Sequence, residues 1–196
     1  MISENTSSPT QFTQENDREE VLSESTTHSN EKYSEIPLVP LEQVSLEILE
    51  KNGQFPSKVK IIYINDDVYE GEVNIEGLKE GWGMYIYSSN EKYEGFWQNN
   101  KIHGYGRYFF RGGEYYEGDW YEGRKEGLGI LKFNGGDIYE GEFFKDDFDG
   151  KGTLFYANGD KFEGEWRDGK KNGMGVFNGK DRKIVGEWID DELQHF

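Results

Sequence analysis

The stretch Gly136–Trp166, "GDIYEGEFFKDDFDGKGTLFYANGDKFEGEW", writes "YEGEF" and then, 23 residues on, "FEGEW". A catalytic motif is needed once, whereas the packing unit of a stacked array is written at every step. Working outward from this stretch, the glycine of the (Y/F)EG unit falls at Gly71, Gly95, Gly118, Gly141 and Gly164, with a degenerate copy at Gly186 in "VGEW". A second unit, GxG, starts at Gly81, Gly104, Gly127, Gly150 and Gly173, each 23 residues after the last. Residues 59–196 therefore read as a tandem array of about five full repeats plus terminal strands.

Each period holds two short strands. One is YEGEW-like (Tyr93–Trp97, Tyr116–Trp120, Tyr139–Phe143, Phe162–Trp166), and the other follows GxG (Gly83–Tyr87, Gly106–Phe110, Gly129–Phe133, Gly152–Tyr156). The links "NN", "EG", "DD" and "DG" on one side, and "SSN", "RGG", "NGG" and "ANG" on the other, are hairpin-turn residues that tolerate positive φ. The fold class this predicts is all-β: an elongated single sheet of repeated hairpins.

Side chains alternate faces along a strand, so Tyr139, Gly141 and Phe143 share one face and Glu140 and Glu142 the other. Pairing Phe133 with Tyr139 across the turn sets Leu131 opposite Gly141 and Gly129 opposite Phe143, each large side chain beside a glycine that leaves it room. Rings that cover strand glycines recover part of what glycine costs a strand. Gly95, Gly118, Gly141 and Gly164, with Trp97, Trp120, Phe143 and Trp166, are thereby assigned to packing. On the opposite face this register sets Lys132 across from Glu140 and Arg107 across from Asp119, pairs worth about 0.2–1 kcal/mol each. It also sets Met84 opposite Phe96, and Ile86, Phe109 and Phe155 opposite Glu94, Glu117 and Glu163.

Aromatics make up 16% of the 196 residues and glycine numbers 26, whereas the buried parallel strands of an α/β enzyme are rich in Val, Ile and Leu. The chain has no cysteine, which excludes disulfides and thiolate metal sites, and its three histidines leave little for a histidine-built metal centre. The recurring Glu70, Glu94, Glu117, Glu140 and Glu163 stand about 10 Å apart in successive repeats, which singles out no acid–base pair. "DDFDG" (146–150) imitates part of a calcium loop, but Leu154 and Phe155 stand where its glutamate belongs. No GxG continues into GxGxxG ahead of a helix, and His103, His195 and the serines form no recurring nucleophile set. No catalytic residue, cofactor or metal is assigned, and no enzyme is expected.

Net charge is −17, with 11 acids against 4 Lys and Arg in residues 1–58 and 28 against 18 in residues 59–196. Nucleic acid demands the opposite sign, as do anionic membranes. A protein partner with a basic or amphipathic segment fits better. The start "MISENTSS" has neither a basic n-region nor an apolar run, and no run of eighteen apolar residues occurs. Neither a secretory leader nor a membrane-spanning helix is expected, and a cytoplasmic protein is. Residues 1–36, an acidic Ser/Thr/Glu-rich tail, are expected to be disordered. In residues 37–58, Pro40, Leu41, Val44, Ile48 and Leu49 at helical spacing, then Lys51 and Gly53, predict a short amphipathic helix and linker capping the array.

"YEGDWYEGRKEGLG" (116–129) and "FEGEWRDGKKNGMG" (162–175) resemble the MORN (membrane occupation and recognition nexus) repeat, Y-x-G-x-W-x-x-G-x-x-x-G-x-G, over about residues 60–190. The resemblance implies an array of hairpins curving into a trough. Such arrays are typically scaffolds, found in axonemal radial-spoke heads, cytoskeletal rings, membrane junctions and plant phosphoinositide kinases. Some grip an extended or helical partner segment. The sequence departs from the pattern at Val73, where Trp is usual, and in "VNIEGLKEGWG", which carries one extra residue.

The expectation is a non-catalytic scaffold in a cytoskeletal or axonemal assembly, with Met84, Ile86, Phe96, Phe109 and Phe155 as its candidate partner-binding residues. One alternative is a peripheral membrane tether that binds phosphoinositides through Lys101, Arg124, Lys125, Lys170 and Lys171, which net charge disfavours. Another is a regulatory subunit of an enzyme. Self-association through the C-terminal edge strand near Trp188 is a further possibility.

Overall fold

The computed structural model describes residues 43–53 and 55–194. The tail expected over residues 1–36 and the start of the expected helix, residues 37–42, lie outside the described residues. The strands are β1 (Gln43–Asn52), β2 (Phe55–Tyr63), β3 (Val68–Val73), β4 (Lys79–Ile86), β5 (Lys92–Gln98), β6 (Lys101–Phe109) and β7 (Tyr115–Tyr121). They continue as β8 (Arg124–Lys132), β9 (Ile138–Phe144), β10 (Asp147–Phe155), β11 (Lys161–Arg167), β12 (Lys170–Asn178), β13 (Lys183–Ile189) and β14 (Glu192–Leu193). Each bonds to the next in chain order, giving one open 14-stranded sheet, antiparallel throughout. Among the described residues there is no helix.

The helix expected over residues 37–58 is therefore corrected: Gln43–Asn52 pairs antiparallel with Phe55–Tyr63, with Asn52 opposite Phe55. Gly53 turns the chain at a φ of 68°, and Asn-Gly is the strongest short hairpin signal. Val44, Leu46 and Ile48 fit a period of two as well as a helical spacing. Leu46 and Ile48 are half-buried between exposed Ser45, Glu47 and Leu49. Pairing with β2 extends a sheet already present, while an isolated helix of this length is marginal.

The register between repeats is also corrected, by two residues. Leu131 pairs with Tyr139, Gly129 with Gly141 and Gly127 with Phe143. The turn closes more tightly than expected because the Phe133 amide donates to the Asp137 carbonyl oxygen at 2.9 Å. A two-residue slip leaves every side chain on its face, but it changes what the glycines do. They face each other in pairs, and the pairs join into an unbroken row from Gly71 on β3 to Gly186 on β13.

The β3–β4 link is longer, residues 74–78, and the five links that follow it on that side are two-residue turns with both φ values positive, at Asn99–Asn100, Glu122–Gly123, Lys145–Asp146, Asp168–Gly169 and Asp190–Asp191. This is the turn whose twist matches a hairpin. The amide of each second residue donates to a carbonyl oxygen of the preceding hairpin: Lys79, Ile102, Lys125, Phe148 and Lys171 in turn, at 2.8–3.1 Å. The side chains of Asn100, Asp146 and Asp191 accept the amide of Lys79, Lys125 and Lys171 in return, at 2.8, 3.0 and 3.0 Å. At Gly123 and Gly169 no such side chain exists, and there the row carries Ile102 and Phe148. The array thus alternates with a period of two repeats.

Candidate partner-binding surface

One face of the sheet is the core. Tyr69, Tyr93, Tyr116, Tyr139 and Phe162 are 0% exposed, with Trp97, Trp120, Phe143, Trp166 and Trp188 buried beside them. Each tyrosine ring lies over its own glycine and the next one in the row. A Cβ on Gly141 would stand 2.5 Å from Gly152 Cα and 2.7 Å from the Tyr139 hydroxyl oxygen. That hydroxyl donates to the Glu142 carbonyl oxygen at 3.0 Å, as Tyr93 does to Phe96 and Tyr116 to Asp119, both at 2.9 Å. Trp97, Trp120 and Trp166 donate Nε1–H to the carbonyl oxygens of Gly83, Gly106 and Gly152 at 3.1–3.2 Å. Burial pushes the hydroxyls of Tyr93, Tyr116 and Tyr139 well above the usual phenol pKa. Rings and hydrogen bonds fill much of this face.

Lys79, Lys125 and Lys171 share the core face, and each amine lies over aromatic rings. Lys125 Nζ is 5.8 Å from the Tyr116 centroid, and Lys171 Nζ is 5.3 Å from that of Phe162. The turn lysines of the alternative lipid-binding reading are placed as follows. Lys101 pairs with Glu122, Lys170 with Asp190 at 3.3 Å, and Lys125 and Lys171 point to the core. Arg124 is exposed.

The opposite face is open. Met84, Ile86, Phe96, Phe109 and Phe155 all lie on it, but in three different rows. Phe96 pairs with Trp82, whose ring meets it edge-on at 5.3 Å. Met84 pairs with Glu94, and Ile86 with Lys92. Phe109 pairs with Tyr115 and lies 4.5 Å below Lys92 Nζ. Phe155 pairs with Lys161, away from the others. The expected Arg107–Asp119 pair is replaced, through the same register shift, by Arg107–Glu117 at 2.9 Å. Lys132 stands opposite Ile138 rather than Glu140. Hydrogen bonds from Arg107 and then Tyr105 hold the Glu117 carboxyl below its usual pKa.

A more regular row escaped the sequence reading. The middle residue of each GxG unit is Trp82, Tyr105, Leu128, Lys151 or Met174, and Trp82, Tyr105, Leu128 and Met174 are 46, 46, 66 and 56% exposed. Across the hairpin from Tyr105, Leu128, Lys151 and Met174 stand Asp119, Glu142, Glu165 and Glu187. Two open grooves flank the row. One, of about 280 Å³, lies among Tyr105, Leu128, Ile130, Glu117 and Glu140. The other, of about 440 Å³, lies among Met174, Val176, Thr153, Glu163 and Glu165. Both grooves combine apolar side chains with carboxylates, and their equivalent positions lie two repeats apart. The signal is present in the sequence, in a large side chain between two glycines, but those positions are given no role in the sequence reading.

A sheet of tandem hairpins with a ring-covered glycine row defines the protein as an all-β repeat array. The MORN-repeat family matches residues 93–115, 116–138, 139–161 and 162–182, so this stretch of the chain is four consecutive MORN repeats. No curated protein matches the chain. Among solved structures, it is similar to the TCP domain of Drosophila melanogaster SAS-4 in complex with a proline-rich motif of Ana2. That match has 18% identity over 68% of this chain and 73% of that one, with a TM-score of 0.44. The TCP10c domain of the same fly protein matches at 16% identity over 66% and 78%, TM-score 0.40. The TCP10 domain of Danio rerio CPAP, with a STIL peptide, matches at 12% over 68% and 85%, TM-score 0.25.

Proposed function

We propose that the protein is a non-catalytic scaffold whose open sheet face binds a basic, amphipathic segment of a protein partner, in a cytoplasmic, cytoskeletal assembly such as an axoneme. The observation that carries the partner-binding reading is the exposed row of GxG middle residues set among acids. Apolar side chains alternating with carboxylates across the strands complement a segment that alternates apolar and basic residues. The row carries a large apolar side chain in four of the five GxG units, with Lys151 in the fifth, yet is not required by the core, which lies on the other face. The four consecutive MORN repeats support the scaffold part of the proposal. Proximity labelling in the native cell with the full chain and with a Trp82→Ala, Tyr105→Ala, Leu128→Ala variant tests it. Partner recovery should fall at least tenfold while Tm changes little. Unchanged recovery from the triple variant overturns the assignment of this face.

A further inference from the structure

A cavity of about 620 Å³ opens near the N-terminal end of the sheet, lined by Ile61, Tyr63, Asn65, Lys79, Tyr85 and Asn100, with Ile64 and Gly77 at its rim. Lys79 is its one cation. The amine lies 4.5 Å from the Tyr85 centroid, 4.9 Å from Trp97, 5.3 Å from Tyr63 and 5.5 Å from Tyr69. None of the ion pairs among the described residues includes it. The acid nearest in effect, Asp67, is committed elsewhere: Oδ2 accepts from the Tyr85 hydroxyl and Oδ1 from the Ser88 amide, both at 2.7 Å. The two asparagines are likewise oriented by what they already bind. Asn65 Oδ1 accepts the Asp67 amide at 3.2 Å and Asn100 Oδ1 accepts the Lys79 amide at 2.8 Å. Their side-chain NH2 groups are left as donors. The cavity thus presents aromatic and aliphatic walls, one ammonium and two amide donors, and its volume suits a small organic ligand.

We propose that this cavity binds a monocarboxylate bearing an aromatic ring, its carboxylate against Lys79 Nζ and the asparagine amides and its ring against Tyr63, Tyr85 and Ile61. One positive charge matches one carboxylate, and a doubly charged phosphate would lack a second cation. Burial lowers the Lys79 pKa to about 8, with Asp67 opposing the shift. The other titratable groups around it are Tyr63, Tyr69 and Tyr85, with Glu72 and Glu80 acting on Tyr69. A bound carboxylate restores the amine's affinity for its proton, so binding at pH 8 takes up to about half a proton per site.

The test is titration calorimetry on the full chain at pH 8, in two buffers of different ionisation enthalpy. The probes are 2-naphthoate and 2-naphthamide, and N-acetylphenylalanine and its amide. At least one acid should bind tenfold or more tighter than its amide, with proton uptake, and Lys79→Met should abolish the preference. Lys171→Met, at the other end of the array, should leave it intact. The pair that shows the larger ratio tells whether a free aryl acid or a chain-terminal carboxylate fits better. No preference in the wild type, a preference that survives in a folded Lys79→Met protein, or binding without proton uptake overturns the proposal.

Discussion

At Tyr139 the ring covers Gly141 and Gly152 while the hydroxyl caps the Glu142 carbonyl at 3.0 Å, so size and polarity are separable. Phe162 holds the same place without a hydroxyl and is equally buried. Tyr139→Phe should therefore cost about 1 kcal/mol in denaturant unfolding. Gly141→Ala drives a methyl into backbone and ring and should cost roughly 3 kcal/mol or abolish cooperative folding. Lys79 makes a pH-dependent contribution. Its folded pKa, about 8, lies below its ordinary 10.5, so the buried charge penalises folding fully below pH 8, by roughly 3 kcal/mol. As pH rises above 8 the folded chain sheds this proton first, and stability climbs. Near pH 10 the trend reverses, because the hydroxyl of Tyr63, pushed by burial up to about 12, and its buried neighbours ionise first in the unfolded chain. Unfolding curves from pH 7 to 11 should show that maximum. In Lys79→Met the climb between pH 8 and 10 should vanish and the stability at pH 7 should increase.

Among the elements, the hairpins test how turns hold the array together. Asp146 sits at a φ of 78° and its carboxylate accepts the Lys125 amide at 3.0 Å. Asp146→Ala loses the acceptor and strains the backbone, which should cost about 1–2 kcal/mol. Asp146→Asn keeps both features and should stay within about 0.5 kcal/mol of wild type by thermal unfolding. The same hairpins show how far the fold was legible. The 23-residue recurrence of glycines gives strands, turns and faces, because faces depend only on the parity of the register. The register itself hinges on how tightly "NGG" and its copies close, and composition does not say whether Phe133 meets Asp137 or Tyr139. At residues 43–52 two periodicities coincide on Val44 and Ile48, and only the partner strand β2 decides between them. Of the candidate surface, the face of Met84, Ile86, Phe96, Phe109 and Phe155 was readable. The row of Trp82, Tyr105, Leu128 and Met174 was not, since glycines on both sides disguise an exposed anchor as part of a turn.

At the scale of the molecule, each strand among the described residues bonds to its neighbours in chain order, so stability is approximately a sum of repeats and the interfaces between them. The ends differ. β14 is two residues long, a short edge that discourages strand addition beside Trp188. The last repeat is one residue shorter than the three before it, since Gly186 follows Gly164 by 22. There Trp188 Nε1 has no hydrogen-bond partner among the described residues, unlike its counterparts Trp97, Trp120 and Trp166. The alternation of Lys79, Ile102, Lys125, Phe148 and Lys171 spaces the core-face cations about 19 Å apart instead of about 10 Å. Duplicating residues 116–138 sets two such lysines in adjacent repeats and raises their repulsion from about 1 to about 2 kcal/mol. Duplicating residues 116–161 preserves the spacing. Melting of the two lengthened chains should show the longer insertion at or above the wild-type Tm and the shorter one below it. If so, tandem duplication can lengthen this protein at no cost only in pairs of repeats, and descendants that gained an odd number would need a compensating lysine loss.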